Sequence, residues 1–140
     1  MATTRHAHTN WNGNLLEGEG RVTLDSSSIG SFDVSWPARA EEPHGVTSPE
    51  ELIAAAHSAC YSMALSNGLA KGGTPPVTLE THAEVDFQPG TGITGIRLTV
   101  RGDVPGLSAE AFAAAAQDAK VNCPVSQALQ AVPITLTIQA

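Results

Sequence analysis

A long apolar helix in the middle of the chain constrains the fold more than any other feature. Residues 48–65 read as this helix, with Ser48 as its N-cap and Pro49 in the first helical position. Glu51 falls three residues after the cap, where a capping box places a glutamate. The helix must end by residues 72–76, which read GGTPP, because glycine and proline are poor helix formers.

This helix is apolar on nearly every side, and such a helix is buried all round. One sheet and two shorter helices of a 140-residue chain would struggle to cover it. We therefore expect an intertwined homodimer in which two such helices pack across a twofold axis. The alternative is a monomer with the helix in a groove of the sheet. The apolar positions are Leu52, Ile53, Ala54, Ala55, Ala56, Ala59, Met63, Ala64, Leu65 and Leu69.

Strands and shorter helices are predicted on both sides of the long helix. Residues 37–47 read as a polar loop, and turn residues join neighbouring strands. This order of elements indicates an α+β fold with antiparallel sheets, and residues 1–140 are expected to form a single domain. The predicted strands span residues 3–11, 20–25, 30–36, 77–87, 93–101 and 134–138, with a hairpin between the second and third and alternating side chains in the fourth and fifth. The shorter helices span residues 108–120, with Ser108 as the cap, and 125–131.

Composition and charge argue against several classes of partner. The formal net charge is -7 with only seven Lys and Arg residues, which disfavours binding to nucleic acid or to an anionic membrane. No apolar run reaches the ~20 residues of a membrane span. The N-terminal segment lacks the apolar core of a signal peptide. We therefore expect a cytoplasmic protein, in which a disulfide is transient and catalytic rather than structural.

The chain has two cysteines, and each lies in a setting that a reactive sulfur could use. Cys60 lies within the long helix, and Cys123 belongs to the sequence NCPVS at the start of a short helix. The two thiols suggest a peroxidatic and a resolving cysteine. The alternative for Cys60 is an inert buried cysteine, a common core residue, and composition and spacing alone favour that alternative.

A reactive Cys60 needs a nearby cation, because the thiolate is the attacking species and burial alone raises a thiol pKa. Cys60 lies about three turns into its helix, too far for the helix dipole to help. Arg39, just before the helix, is the best placed cation, and Glu50 could orient it through a bidentate pair. The alternative is a surface ion pair of little energetic value. Electrostatics alone favour Cys123 as the thiolate, since it precedes the free N–H groups of a helix.

The segment TSPEELIAAAHSACYSMAL resembles the signature of the osmotically inducible protein C / organic hydroperoxide resistance (OsmC/Ohr) family. In that family a proline–glutamate element starts the long helix and the peroxidatic cysteine follows ten residues after the glutamate, which matches Pro49, Glu50 and Cys60. NCPVS around Cys123 resembles the resolving motif, and Arg39 matches the arginine of the OsmC branch. Length, element order and both cysteine motifs extend the resemblance over nearly the whole chain.

The resemblance implies an OsmC-like fold and a thiol peroxidase that needs no metal, haem, selenium or flavin cofactor. Cys60 would attack an organic hydroperoxide, and hydrogen peroxide less efficiently, to give an alcohol or water and a sulfenic acid. Cys123 would then form a disulfide with Cys60, which an external dithiol such as a dihydrolipoyl protein would reduce. Arg39 would stabilise the thiolate and the departing oxygen, and Glu50 would orient Arg39.

Other readings of the same residues lead to different functions. His57 lies three residues before Cys60, which suggests a thiol hydrolase or a metal site, but no third ligand with suitable spacing appears. We expect His57 to be an interior histidine. A thiol–disulfide oxidoreductase usually shows its cysteines as CxxC, which this sequence lacks. A non-enzymatic stress or ligand-binding protein would need neither cysteine.

Helix geometry adds a prediction about the subunits. Glu50 and Cys60 are ten residues apart, which separates them by about 15 Å along the helix axis. A carboxylate at that distance cannot hold an arginine against the sulfur of its own helix. If Glu50 serves Cys60, the two residues come from different subunits of an obligate dimer, whereas Arg39 could come from either.

Overall fold

A computed structural model gives the positions of residues 1–139. They form two compact units, of which the first is Met1–Leu52 and the second begins at Ile53. The strands are β1 (Ala7–Asn12), β2 (Glu19–Leu24), β3 (Ser31–Val34), β4 (Thr78–Gln88), β5 (Gly92–Asp103) and β6 (Ile134–Ile138). The helices are α1 (Trp36–Ala40), α2 (Pro49–Lys71), α3 (Ala109–Asn122) and α4 (Pro124–Ala128).

The first unit is built on a three-stranded antiparallel sheet in the order β1-β2-β3. The predicted hairpin between the second and third strands is confirmed. Gly20 on β2 pairs with Trp11 on one side and Val34 on the other. A Cβ at this position would lie 2.7 Å from the Trp11 ring and 2.9 Å from a Val34 methyl group. Glycine therefore lets these two apolar side chains close over the middle strand.

A short helix replaces part of the polar loop predicted for residues 37–47, so that prediction was wrong at its start. The Oγ of Ser35 accepts a hydrogen bond of 3.3 Å from the Ala38 N–H and caps α1. Proline in the first turn of α1 already holds the φ angle of a helix. The helix has only five residues, too few for an apolar period to reveal it. It carries Arg39 in its last turn.

The long helix α2 begins where the sequence predicted and continues six residues past residue 65, up to the glycine pair that was expected to stop it. The Oγ of Ser48 accepts a 3.1 Å hydrogen bond from the Glu51 N–H, which confirms the N-cap. The carboxylate of Glu51 accepts a hydrogen bond from the Thr47 hydroxyl. Glu51 therefore stabilises the start of the helix, in agreement with its predicted capping role. The last helical residue is Lys71, directly before the glycine pair.

A single chain buries only one stripe of α2. Met63 is 72% exposed although its side chain is large and apolar. The second unit's part of α2 has both buried residues and exposed apolar residues. The buried residues in the second unit's part of α2 are His57, Tyr61, Leu65 and Leu69. The exposed apolar residues on the same part are Ala55, Ala56, Ala59, Met63 and Ala70.

The second unit has a sheet of order β4-β5-β6. The strands β4 and β5 are antiparallel, with a register shift between Asp86 and Phe87. The strand β6 runs parallel to β5, so the expectation of antiparallel pairing was wrong for this edge. The helices α3 and α4 lie between β5 and β6 in the chain. They provide the long crossover that a parallel pair needs.

The core of the second unit lies between this sheet and the helices α2 and α3. Ser108 caps α3, as predicted, by accepting a hydrogen bond from the Ala111 N–H. The Tyr61 hydroxyl donates a buried hydrogen bond of 2.9 Å to the Ala116 carbonyl and so ties α2 to α3. The core residues are Tyr61, Leu65, Leu69, Ile96, Leu98, Val100, Ala116, Ala119 and Cys123. In the part of the chain that the structure describes, no helix has the length and apolar character of a membrane span.

Candidate active site

The second unit brings the two cysteines together. Cys60 lies on α2 and is half-buried, whereas Cys123 is fully buried at the junction of α3 and α4. Both are free thiols, and the two side chains are close enough to interact. The more accessible thiol therefore has a second, enclosed thiol directly beside it. This is the arrangement that formation of a reversible disulfide requires.

The surroundings of Cys60 act on its pKa in opposite directions. Burial raises the pKa of the Cys60 thiol most, because it disfavours the charged thiolate. Contact with Cys123 raises it further. A hydrogen bond from the Val125 backbone N–H opposes both, since it stabilises the thiolate. Cys60 therefore needs further positive charge to become a thiolate at neutral pH.

The free N–H groups at the start of α4 do not serve Cys123, contrary to the expectation from sequence. Cys123 occupies the N-cap position, but its side chain makes no capping hydrogen bond. The Val125 N–H interacts with Cys60 instead. The cause is the fold: Cys123 points into the core, whereas α2 places Cys60 against the first turn of α4. This contact favours Cys60 as the thiolate.

The first unit brings Arg39 and Glu50 together. The Arg39 Nε lies 2.9 and 3.2 Å from the two carboxylate oxygens of Glu50, and Nη2 lies 2.8 Å from Oε1. Glu50 is only 6% exposed, so this is not the solvated surface pair that the sequence left open. A buried carboxylate is stable only when it is paired, and the fork geometry fixes the guanidinium plane. Glu50 therefore orients Arg39.

An apolar cavity of about 360 Å³ adjoins Arg39 within the first unit. Arg39 contributes the one charged side chain among the lining residues. An apolar space with a single cation on its wall suits a molecule with an alkyl or aryl body and one polar end. The lining residues are Thr9, Trp11, Leu15, Val22, Val34, Ser35, Trp36, Arg39, Pro49 and Leu52.

The sequence did not predict a buried pair of hydrogen-bonded side chains, His57 and Ser126, near the cysteines. His57 is fully buried, and its Nε2 lies 2.7 Å from the Ser126 Oγ. Its Nδ1 is buried without a hydrogen-bond partner. Burial lowers the pKa of His57 because the interior disfavours the imidazolium. His57 is interior, as expected, but the sequence could have drawn attention to Ser126 only through its place in NCPVS.

The four predicted site residues thus form two pairs, one in each unit. Cys60 contacts Cys123 in the second unit, and Arg39 binds Glu50 in the first. Across residues 1–139, no three His, Cys, Asp or Glu side chains are grouped so as to hold a metal ion. In the N-terminal strand, His8 binds the carboxylate of Asp25 at 2.8 Å.

Comparison with known proteins identifies the family. A family model described as "OsmC-like protein" matches residues 42–138. The chain is 39% identical over 142 residues to Peroxiredoxin OsmC of Escherichia coli (strain K12), which covers 99% of this chain and 98% of that relative. The relative of the same name from Shigella flexneri has the same identity and coverage.

Solved structures share the fold. The structure of an organic hydroperoxide resistance protein OsmC from Legionella pneumophila matches with a TM-score of 0.76 and 22% identity, over 100% of this chain and 99% of that one. The organic hydroperoxide resistance protein OhrB of Bacillus subtilis matches with a TM-score of 0.69 and 24% identity, over 96% and 98%. With the family match over most of its length, this chain belongs to the OsmC-like protein family.

Proposed function

We propose that this protein is a cysteine-based peroxidase that reduces organic hydroperoxides with electrons from an external dithiol. The name of the Escherichia coli relative, a peroxiredoxin, supports a redox role of this type. The observation that carries the proposal is the contact between the half-buried Cys60 thiol and the enclosed Cys123 thiol. An inert core cysteine would need neither a thiol neighbour nor a backbone N–H directed at its sulfur.

The proposed peroxidase reaction has three steps. The Cys60 thiolate attacks the distal oxygen of ROOH, the O–O bond breaks, and the alkoxide takes a proton to leave as an alcohol. Cys60 is then a sulfenic acid. The Cys123 sulfur displaces water from it, and a disulfide forms. An external dithiol, for which a dihydrolipoyl protein is our candidate, returns both cysteines to thiols and is itself oxidised to a disulfide.

Arg39 supplies the positive charge in this proposal. Burial and Cys123 both raise the pKa of Cys60, so one backbone N–H is not sufficient to hold a thiolate. A guanidinium whose plane is fixed by Glu50 stabilises the thiolate and the negative charge that develops on the departing oxygen. No cofactor takes part in these steps.

We further propose a homodimer in which each active site combines residues of both subunits. The exposed apolar residues of α2 suit a second copy of the same helix, which would remove them from water. Glu50 and Cys60 are about 15 Å apart along the axis of one helix, so if Glu50 serves Cys60 the two residues come from different subunits. Arg39 would accompany Glu50, because the two form one ion pair.

Subunit complementation tests the composite site. We expect a refolded mixture of Cys60→Ser and Glu50→Ala chains to recover activity. In a heterodimer, intact Cys60 of one chain meets intact Glu50 of the other, so one of two sites is restored. Peroxide consumption by purified heterodimers is the measurement. The Glu50→Ala parent is the control and must itself be impaired. Heterodimers that stay as inactive as both parents would contradict the composite arrangement.

Substrate preference tests the apolar cavity. We expect cumene hydroperoxide to react faster than hydrogen peroxide, because each buried methylene gains ~0.8 kcal/mol, or roughly fourfold in rate. Leu15→Ala should reduce this preference, since Leu15 lines the cavity. Leu16→Ala is the matched control, because Leu16 is an exposed neighbour outside the lining. Stopped-flow rate constants for both peroxides measure the ratio. An equal or higher rate with hydrogen peroxide would refute the organic preference.

A further inference from the structure

A second link joins the two segments that carry the cysteines. His57 lies three residues before Cys60 on α2, and Ser126 lies three residues after Cys123 on α4. The hydrogen bond of 2.7 Å between them therefore joins the same two segments as the thiol pair, and the two links follow each other in antiparallel chain order. Both side chains are buried, at 0% and 5% exposure, so water does not compete for this bond.

The unpartnered nitrogen defines the direction of this hydrogen bond. The Nδ1 of His57 is buried without a partner. A buried N–H without an acceptor is rarer than an unsatisfied acceptor, so Nδ1 carries the lone pair and Nε2 carries the proton. The neutral His57 therefore donates from Nε2 to the Ser126 hydroxyl. Burial lowers the pKa of His57 and so favours this neutral form.

The short helix α4 depends on such external contacts. It has five residues, and its N-cap residue Cys123 makes no side-chain capping bond. An isolated helix of this length is not stable in water. Val125, which precedes Ser126 in the chain, donates its N–H to the Cys60 sulfur. Ser126 is the next residue in the chain, so a contact that holds Ser126 also limits the movement of that N–H.

We propose that His57 and Ser126 are positioning residues for the redox pair. Their hydrogen bond holds the first turn of α4 against α2, so that the Val125 N–H stabilises the Cys60 thiolate and Cys123 stays within reach of Cys60. Neither residue touches the peroxide in this role. The inference deepens the proposed peroxidase function and rests on it.

The first test isolates the Val125 contact in a Cys123→Ser background, where Cys60 is the single thiol. We expect Ser126→Ala to lower the rate of Cys60 alkylation by iodoacetamide at neutral pH roughly tenfold, since a hydrogen bond to a charged group is lost. The pH profile of alkylation should move to higher pH. Ser126→Thr, which keeps the hydroxyl, should preserve the rate. His57→Leu should match Ser126→Ala, and His57→Gln, which retains a terminal N–H donor, should be closer to the parent.

Tyr61→Phe is the matched control. It removes another buried hydrogen bond of α2, from Tyr61 to the Ala116 carbonyl on α3, and leaves the bond between His57 and Ser126 in place. A merely structural role for His57 would make Tyr61→Phe and Ser126→Ala alike in alkylation rate at similar thermal stability. That outcome, or an unchanged rate and pH profile in Ser126→Ala, would overturn the positioning role.

A second test uses the protein with both cysteines. We expect Ser126→Ala to slow disulfide formation with diamide and to increase the fraction of Cys60 oxidised to sulfinic acid by a given dose of cumene hydroperoxide, both several-fold. Unchanged values would contradict the inference. The diamide rate requires no peroxidase activity. A wild-type protein that ignores peroxide would therefore refute the proposed function, whereas an unchanged diamide rate would refute only the positioning role.

Discussion

Cys60→Ser is expected to abolish peroxide consumption, with a rate no higher than that of buffer. A serine hydroxyl ionises far less readily than a thiol and cannot form a sulfenic acid, so the first step has no nucleophile. Consumption of cumene hydroperoxide in the presence of a dithiol measures the loss. Unchanged thermal unfolding would show that the variant is folded, since Cys60 is only half-buried and serine is similar in size.

Cys123→Ser should behave differently, because this residue acts only in the second step. We expect one rapid turnover per chain, followed by a trapped sulfenic acid or over-oxidised Cys60 that a dimedone adduct or the added oxygen mass reveals. A Cys60→Ser protein that still turns over many times would reverse the two assignments. Multiple turnover in both variants would show that neither cysteine is required for the reaction.

Arg39→Ala should have the second largest effect. Removing one preorganised electrostatic group from an active site typically lowers the rate by roughly a hundredfold. A cation beside the sulfur lowers the thiol pKa, so its removal should move the pH–rate profile to higher pH. Arg39→Lys should recover only part of the rate, since lysine keeps the charge but cannot form the fork with Glu50. Rate constants across a pH series measure both effects.

Arg21→Ala is the matched control for this prediction. Arg21 also pairs with a carboxylate of the first unit, Asp33, but both side chains are well exposed. Its loss should leave the peroxidase rate and thermal stability nearly unchanged. Arg39→Ala should also destabilise the fold, because it leaves the buried Glu50 without its partner, at a cost of about 3–5 kcal/mol. Equal effects of the two substitutions would contradict the assignment of Arg39.

Local signals in the sequence were sufficient for most of the fold. Ser48 and Ser108 identified two helix starts, and the glycine pair after Lys71 identified the end of α2. Alternating side chains located β4 and β5 to within two residues. These signals involve residues that are close together in the chain, so they can be recognised in the sequence. The five-residue helix α1 was missed because it is little more than one helical turn, too short for an apolar pattern to repeat.

Contacts between residues that are far apart in the sequence could not be predicted from such local signals. The parallel pairing of β6 with β5 depends on the crossover through α3 and α4. The sequence placed the N–H groups of α4 beside Cys123, yet the fold directs that of Val125 to Cys60. The bond from His57 to Ser126 joins residues 69 positions apart. Such contacts depend on tertiary packing, which local patterns do not encode.

If Cys60 and Cys123 form one redox unit, a single peroxide molecule should oxidise both of them. The measurement is anaerobic mixing of the reduced protein with one equivalent of cumene hydroperoxide, followed by thiol counting and peptide mass spectrometry. We predict that both thiols of each chain disappear together and that the peptides of Cys60 and Cys123 are joined by a disulfide within the chain. Unreacted thiols, loss of a single thiol, or a disulfide between Cys60 residues of two chains would contradict it.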